Sequence, residues 1–348
     1  MASSNTPSAH TAFTELPQVD ISGLRSSDLQ DRLAVAGQLG KAAREVGFLY
    51  ITGHGIEPAL SENLKARTRD FFAQPLAQKM RYYIGQSVNH SGYVPEGEEQ
   101  FGDGNIDHKE TYDVNFDYLP KNGRRPMLGP TQWPDDDAFK RDVKAYYEAA
   151  LEVSQNLFRG FALALGLPED TLTKLVTTPP SQLRLIHYPF NANAPQDRPG
   201  IGAHTDYECF TILLPTAPGL EVLNGAGEWI DVPLVENAFV INIGDMLEVL
   251  SNGEFVATSH RVRKVQEERY SFPLFCACDY DTVISPLLEA KEAGNQNRYT
   301  AINCGEHLYA QTIQTFQYLK TKLEQGEIHM PEGSKGLSSF GYHSGAQG

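Results

Sequence analysis

Two imidazoles and one carboxylate are the residues in this chain whose types and spacing most clearly invite chemistry. His204-Thr205-Asp206 sets a histidine and an aspartate two residues apart, so on an extended segment both side chains project from one face. His260 follows 54 residues after Asp206, inside the strand-like run Val256-Ala257-Thr258-Ser259-His260-Arg261-Val262. An antiparallel fold can lay that run beside the first. Two histidines and one carboxylate hold one face of an octahedral ion and leave about three positions open, as an O₂-activating Fe(II) requires. An H-x-D pair alone occurs by chance in many chains, so the distant histidine and two further features carry the weight.

The first feature is Arg269-Tyr270-Ser271, nine residues beyond His260 and at the head of the apolar run Phe272-Pro273-Leu274-Phe275. Arg269 and Ser271 share a strand face, and a planar guanidinium beside a hydroxyl can grip a carboxylate in a pocket. The second is Leu183-Arg184-Leu185-Ile186-His187-Tyr188-Pro189. Arg184, Ile186 and Tyr188 fall on one face of this strand candidate. If that face looks inward, Tyr188 can donate to a carboxylate near the metal and Arg184 can reach an anionic or carbonyl-bearing ligand. A structural ion pair is the competing reading for Arg184, because a charge among apolar neighbours must be paired or solvated. His54, His187 and His307 have no partner at ligand spacing and read as structural or surface residues.

These segments need a scaffold, and the sequence divides into two styles. After an extended start at residues 16–21, amphipathic helical runs are expected at 27–46, 58–73 and 136–165, with a short strand at 47–51. Residues 87–121 are polar and Gly-rich, and the first half reads as a helical support. From residue 181 the period shortens toward two, with strand candidates at 183–188, 210–214, 220–223, 239–243, 256–262 and 270–278. Short strands separated by Gly, Asn and Pro suit a jelly roll of two antiparallel sheets. A last helix at 305–323 is expected to pack outside it, and residues 331–348 to be mobile.

Composition narrows the partners. The chain has 348 residues, 41% hydrophobic and 10% aromatic, with no internal repeat, which suits one continuous globular unit. A formal net charge of −15 disfavours nucleic-acid backbones and anionic membranes. No apolar run approaches the ~20 residues of a membrane span, and residues 1–13 lack the apolar stretch of a secretion signal. Cys209, Cys276, Cys278 and Cys304 are too few for a disulfide framework and are expected to be buried thiols in a reducing, cytoplasmic setting.

With these motifs in order, the chain resembles the isopenicillin N synthase-like family of Fe(II)/2-oxoglutarate-dependent dioxygenases. The amino-terminal likeness rests on Leu16-Pro17-Gln18-Val19-Asp20, Glu45-Val46-Gly47-Phe48-Leu49-Tyr50-Ile51, His54-Gly55-Ile56, Phe71-Phe72 and Gly92-Tyr93. The more specific set is Leu185-Ile186-His187-Tyr188-Pro189, Gly202-Ala203-His204-Thr205-Asp206-Tyr207, Gly219-Leu220-Glu221-Val222, Asn242-Ile243-Gly244-Asp245, Thr258-Ser259-His260-Arg261-Val262 and Arg269-Tyr270-Ser271.

The resemblance implies a mainly β fold with helical support: a distorted double-stranded β-helix, or jelly roll, behind an N-terminal helical region. It implies Fe(II) on His204, Asp206 and His260. It also implies 2-oxoglutarate on Arg269 and Ser271 with Tyr188 nearby, and oxidation, by default hydroxylation, of a small molecule by O₂ with succinate and CO₂ released. Many plant members carry Asn two residues before the tyrosine, where this chain has Ile186, so the inner co-substrate contacts differ.

The expected division is 1–120 N-terminal helical and substrate-loop region, 121–180 helical support, 181–285 catalytic core, 286–330 C-terminal strand and helix, and 331–348 tail. Substrate contacts are expected from Tyr207 and Phe275, whose rings can sandwich a flat group, and from Arg184, although Arg184 matches a common family arginine. Glu98 belongs to Ser91-Gly92-Tyr93-Val94-Pro95-Glu96-Gly97-Glu98-Glu99, which resembles a loop of bacterial members. Its acids would meet a cationic substrate unless the loop is simply solvated. The alternative within the family is an isopenicillin N synthase or aminocyclopropane carboxylate oxidase type that uses no 2-oxoglutarate.

Overall fold

The computed structural model describes residues 9–100, 107–118, 125–190, 200–264, 266–289 and 299–333. In chain order its strands are β1 (Gln18–Asp20), β2 (Phe48–Thr52), β3 (Gly92–Val94), β4 (Glu110–Val114), β5 (Gln182–Tyr188), β6 (Ile201–His204) and β7 (Phe210–Pro215). They continue with β8 (Leu220–Leu223), β9 (Trp229–Asp231), β10 (Phe239–Ile243), β11 (His260–Val262), β12 (Arg269–Cys276), β13 (Val283–Ile284) and β14 (Ile302–Asn303). The helices are α1 (Leu29–Glu45), α2 (Pro58–Phe72), α3 (Leu76–Lys79), α4 (Asp137–Ala164), α5 (Asp245–Leu250), α6 (Cys304–Thr315) and α7 (Gln317–Glu324).

An eight-stranded sheet, β1-β2-β10-β7-β12-β5-β4-β3, faces a four-stranded one, β6-β11-β8-β9. Between them Phe48, Tyr50, Leu213 and Val240 from the large sheet meet Leu220 and Val222 from the small one. This is the expected double-stranded β-helix. The first half of the chain, however, is more than a helical support: β1 to β4 make one end and the far edge of the large sheet. Strands β3 and β4 lie within the polar stretch read as loop, because β4 satisfies its backbone against β5 in the register Thr111↔Ile186 and Asp113↔Arg184. Such long-range pairing leaves no local apolar signal.

Local chemistry explains the helices. Asp28 accepts from the Gln30 amide to start α1, and Asp136 accepts from the Ala138 and Phe139 amides to start α4. The stripe Phe139, Val143, Tyr146, Ala150, Val153, Leu157, Phe161 buries one side of α4. Phe158 and Phe161 meet Phe210 of β7 at centroid distances of 4.6 and 5.4 Å. Truncating such an aromatic to alanine costs about 3–5 kcal/mol. Helix α1 stops at Gly47, whose φ of +74° turns the chain into β2; a Cβ there would lie 2.3 Å from the Val256 carbonyl.

Three local expectations change. Only His260–Val262 of the 256–262 run is strand. The predicted 305–323 helix is two helices, broken at Phe316, whose backbone is extended and bridges Glu99. The break is held by Gln100 N–H donating to Thr315 O at 2.8 Å and Gln317 N–H to Glu98 O at 2.9 Å. Rather than lying outside the core, α6 forms one wall of the central cavity. Residues 334–348 of the expected tail lie outside the described residues.

Candidate active site: a metal cluster, an anion grip and a cavity

Strands β6 and β11 pair so that His204 sits directly opposite His260. Their rings are 4.3 Å apart by centroid. Strand β6 ends at His204, so Asp206 joins them through the following bend rather than through strand alternation. That bend is tied down by Asp245 N–H donating to Asp206 O and Gly244 N–H to Cys209 O, both at 2.9 Å. Gly244 is required there, since a Cβ would lie 2.2 Å from the Glu208 carbonyl. The three side chains bring one potential ligand atom each within 4.8 Å of one another.

The hydrogen bonds sort those atoms by role. His204 Nδ1 lies 2.8 Å from Gly202 O and His260 Nδ1 3.4 Å from Thr258 O. An Nδ1–H donated to a carbonyl leaves each Nε2 lone pair for a metal. Both Nε2 atoms face Asp206 Oδ1, at 3.5 and 3.6 Å. Asp206 Oδ2 is engaged instead by the Thr211 hydroxyl and, at 2.7 Å, by the Asn242 amide. Burial acts to raise the Asp206 carboxyl, but His260, His204 and Thr211 outweigh it and hold it below the carboxylate range. Burial, reinforced by His204, pulls His260 down to about 4, so its imidazole is neutral near pH 7. Burial acts to lower the His204 imidazole too, but Asp206 outweighs it and raises it, so a metal bound there would take the place of that proton. Two imidazoles and one ionised oxygen on a single side form a donor set suited to Fe(II). Thr211 and Asn242 were missed as contributors; the Asn242-Ile243-Gly244-Asp245 motif was visible, but not which ligand its amide would steady.

Strands β5 and β12 run antiparallel in the register Arg269↔Tyr188, Ser271↔Ile186 and Phe275↔Gln182. One face of this ladder therefore passes from Arg269 and Tyr188 at one end to Phe275 and Gln182 about 20 Å away, at ~3.4 Å per residue. Arg269 is 1% exposed, and its guanidinium lies 4.6 Å from the centre of the Tyr188 ring. Its Nε donates to Ala217 O at 3.2 Å, while Nη1 and Nη2 are buried with no hydrogen-bond partner. A buried charge left so incomplete is costly. The paired vacant donors match the fork of a carboxylate, as 2-oxoglutarate would present. Tyr188 packs with Ile186, Val262 and Ile201, which ties this grip to the strands carrying the histidines.

The other end of the face opens on a cavity enclosing about 780 Å³ of atom-free space, part of it open to solvent. His204 and Asp206 line it together with Tyr207, Phe275, Ile186, Phe316 and Leu308. Tyr207 and Phe275 thus both line the cavity that His204 and Asp206 line. Arg184 also lines the cavity, but its Nε and Nη2 hold both Asp113 oxygens at 2.8 and 2.9 Å and its Nη1 holds Glu99 at 3.2 Å. The structural ion pair describes Arg184 better than a free anion receptor. Glu98 is corrected: its carboxylate accepts from the Tyr83 hydroxyl at 2.7 Å and the Tyr318 amide at 2.8 Å, and its neighbour Glu99 lines the cavity instead. Glu208, also missed, lines the cavity two residues beyond Asp206; burial, then the Asp206 charge, pushes its carboxyl up to about 8. His54, His187 and His307 stay outside the metal cluster, His187 being held between Glu110 and Glu268. All four cysteines are buried free thiols.

Comparison with known proteins agrees with this geometry. Residues 16–136 match the model of the N-terminal region of non-haem dioxygenases in morphine synthesis, and residues 179–277 match that of the 2OG-Fe(II) oxygenase superfamily. The chain is similar to a homoarginine-6-hydroxylase of Arabidopsis thaliana, 33% identical over 88% of this chain and 99% of the relative. It is 32% identical to the 2-oxoglutarate-Fe(II) type oxidoreductase ppzC of Metarhizium majus, over 86% of this chain and 87% of that one. Among solved structures, a 2OG-Fe(II) oxygenase family protein from Caulobacter crescentus is 29% identical with a TM-score of 0.74, covering 90% of this chain and 99% of its own. A full-length Neurospora crassa protein solved in complex with alpha-KG and thymine is 25% identical with a TM-score of 0.73, over 89% and 97%. These names fit the reading that uses 2-oxoglutarate and not the alternative without it. The chain belongs to the 2OG-Fe(II) oxygenase superfamily and is an enzyme of that class, an Fe(II)- and 2-oxoglutarate-dependent dioxygenase acting on a small organic molecule.

Proposed function

We propose that His204, Asp206 and His260 are the iron ligands, that Arg269 and Ser271 hold the distal carboxylate of 2-oxoglutarate beside Tyr188, and that the substrate occupies the cavity between Tyr207, Phe275 and Phe316. The observation that carries this reading is the pattern of incomplete bonding. Asp206 Oδ1 and two imidazole nitrogens converge within 4.8 Å of one another, and Arg269 offers two buried donors to no acceptor within the chain. When bound, Fe(II) and 2-oxoglutarate supply the O₂-activating oxidation, with succinate and CO₂ as co-products.

The chain's own residues supply position and dryness. Gly202 and Thr258 carbonyls fix the imidazole tautomers, and Thr211 and Asn242 aim the carboxylate. Arg269 and Tyr188 orient the co-substrate from the closed end of the face. Ile186, Leu308, Met127 and Phe316 keep water from the substrate end. Hydroxylation is the outcome we expect, and buried reduced thiols fit a cytoplasmic protein.

The test is O₂-dependent succinate formation from 2-oxoglutarate by Fe(II)-loaded protein, with calorimetric titration of 2-oxoglutarate under anaerobic conditions. His204→Ala should abolish iron retention and lower turnover by more than about 10³-fold, the loss typical of removing part of an essential catalytic unit. Wild-type protein that neither binds 2-oxoglutarate nor makes succinate would refute the assignment.

A further inference from the structure

The charges around the cavity do not balance, and the imbalance points to the kind of molecule it takes. Two cations reach the cavity, Arg184 and Lys109, and both are engaged within the wall. Arg184 grips Asp113 and Glu99. Lys109 Nζ lies 2.9 Å from Glu99 Oε2 and 3.0 Å from Asp107 Oδ2. Glu99, Asp107 and Asp113 are therefore all paired, leaving Glu208 as a fourth carboxylate. It lines the cavity beside the metal cluster, and no cation lies within ion-pair distance of it among the described residues.

An anionic group entering this cavity would have to compete for Arg184, each of whose three nitrogens already donates to Asp113 or Glu99. The guanidinium with vacant donors, Arg269, lies at the far end of the β5–β12 face beside Tyr188. The two ends are thus sorted by sign: anion at Arg269, cation at Glu208. The aromatic and aliphatic side chains of Tyr207, Phe275, Phe316 and Leu308 would cover the apolar body between cation and solvent.

We propose that Glu208 is a specificity-determining residue that pairs with a cationic nitrogen, an ammonium or guanidinium, on a substrate bound in the cavity at the metal end. The proposal rests on the assignment of this cavity as the substrate site. It makes Glu208, rather than the loop acid Glu98, the group that reads the substrate's charge.

The probe pair is n-butylguanidinium and its neutral isostere n-butylurea, titrated calorimetrically into anaerobic Fe(II)-loaded protein with and without 2-oxoglutarate. Wild type should bind the guanidinium at least about 10-fold more tightly, as a charge-assisted pair in a partly dry site would give. Glu208→Gln should shrink that preference to about 2-fold or less while leaving 2-oxoglutarate affinity unchanged, and Glu208→Asp should restore part of it. Equal binding of the two probes by wild type, no binding of either, or a preference that survives in Glu208→Gln would overturn the proposal. Because 2-oxoglutarate is titrated separately, its failure to bind would refute the co-substrate assignment alone, and the probe preference would still be read on the Fe(II)-loaded protein.

Discussion

The metal end of the molecule and the charged wall opposite it are built from similar residues with opposite bonding. His204, Asp206, His260 and Arg269 are buried or nearly so, yet each keeps a potential bond unmade: two Nε2 atoms, one Oδ1 and two guanidinium nitrogens. In the wall, Arg184, Lys109, Glu99, Asp113 and Asp107 form a closed network whose ionic bonds are all within the chain. The difference separates function from support. A site for an external group shows bonding capacity that the fold leaves open, whereas a structural network shows capacity that the fold has used.

Two arginines break or sharpen that contrast most directly. Arg269→Ala should raise the KM for 2-oxoglutarate by about 10²-fold, the loss of a bidentate charged contact. It should lower thermal stability less than Arg184→Met does, because it removes a buried charge whose Nη1 and Nη2 have no partner within the chain, at the loss of the Nε bond to Ala217 and the contact with the Tyr188 ring. Arg184→Met should do the reverse. It strands Asp113 without its cation and leaves Glu99 to Lys109 alone, so unfolding free energy should fall by about 3–5 kcal/mol in denaturant titrations. Equal effects of both substitutions on Tm would erase the distinction.

Smaller effects are expected where the two regions are supported. Asn242→Ala removes one donor from Asp206 Oδ2, and iron affinity measured by competition with a chelator should fall about 10- to 100-fold.

The wall should also make the fold labile in acid. Burial acts to raise the Glu99 carboxyl, but Arg184 and Lys109 outweigh it and hold it at about 2. Its contribution is therefore present above the unfolded value near 4.5 and is lost as pH falls toward 2. Burial and Arg184 hold His90 at about 3, so below about 6.5 the unfolded chain takes up a proton that the folded one refuses. Stability should therefore decline from pH 6.5 downward, and more steeply below 4.5. Thermal unfolding across that range would show it, and a flat profile from about pH 7 to 4 would count against the paired wall.

What residue order determined by itself was whatever depends on near neighbours. The capped helices α1 and α4, the alternating faces of β5 and β12, and the candidate set His204, Asp206, His260, Arg269, Ser271 and Tyr188 all follow from spacings of two to four residues or from short motifs. Tertiary structure decided what depends on pairing across long separations. It drew β3 and β4 out of a polar stretch and onto β5, and it broke the last helix at Phe316 where residues 98–100 bond to it. It exchanged Glu98 for Glu99 at the cavity and left Glu208 there with no cation at ion-pair distance among the described residues. The physical reason is that a charge's role depends on which opposite charges come within a few ångströms. For Arg184, Asp113 and Glu99 those partners lie 71 and 85 residues away along the chain.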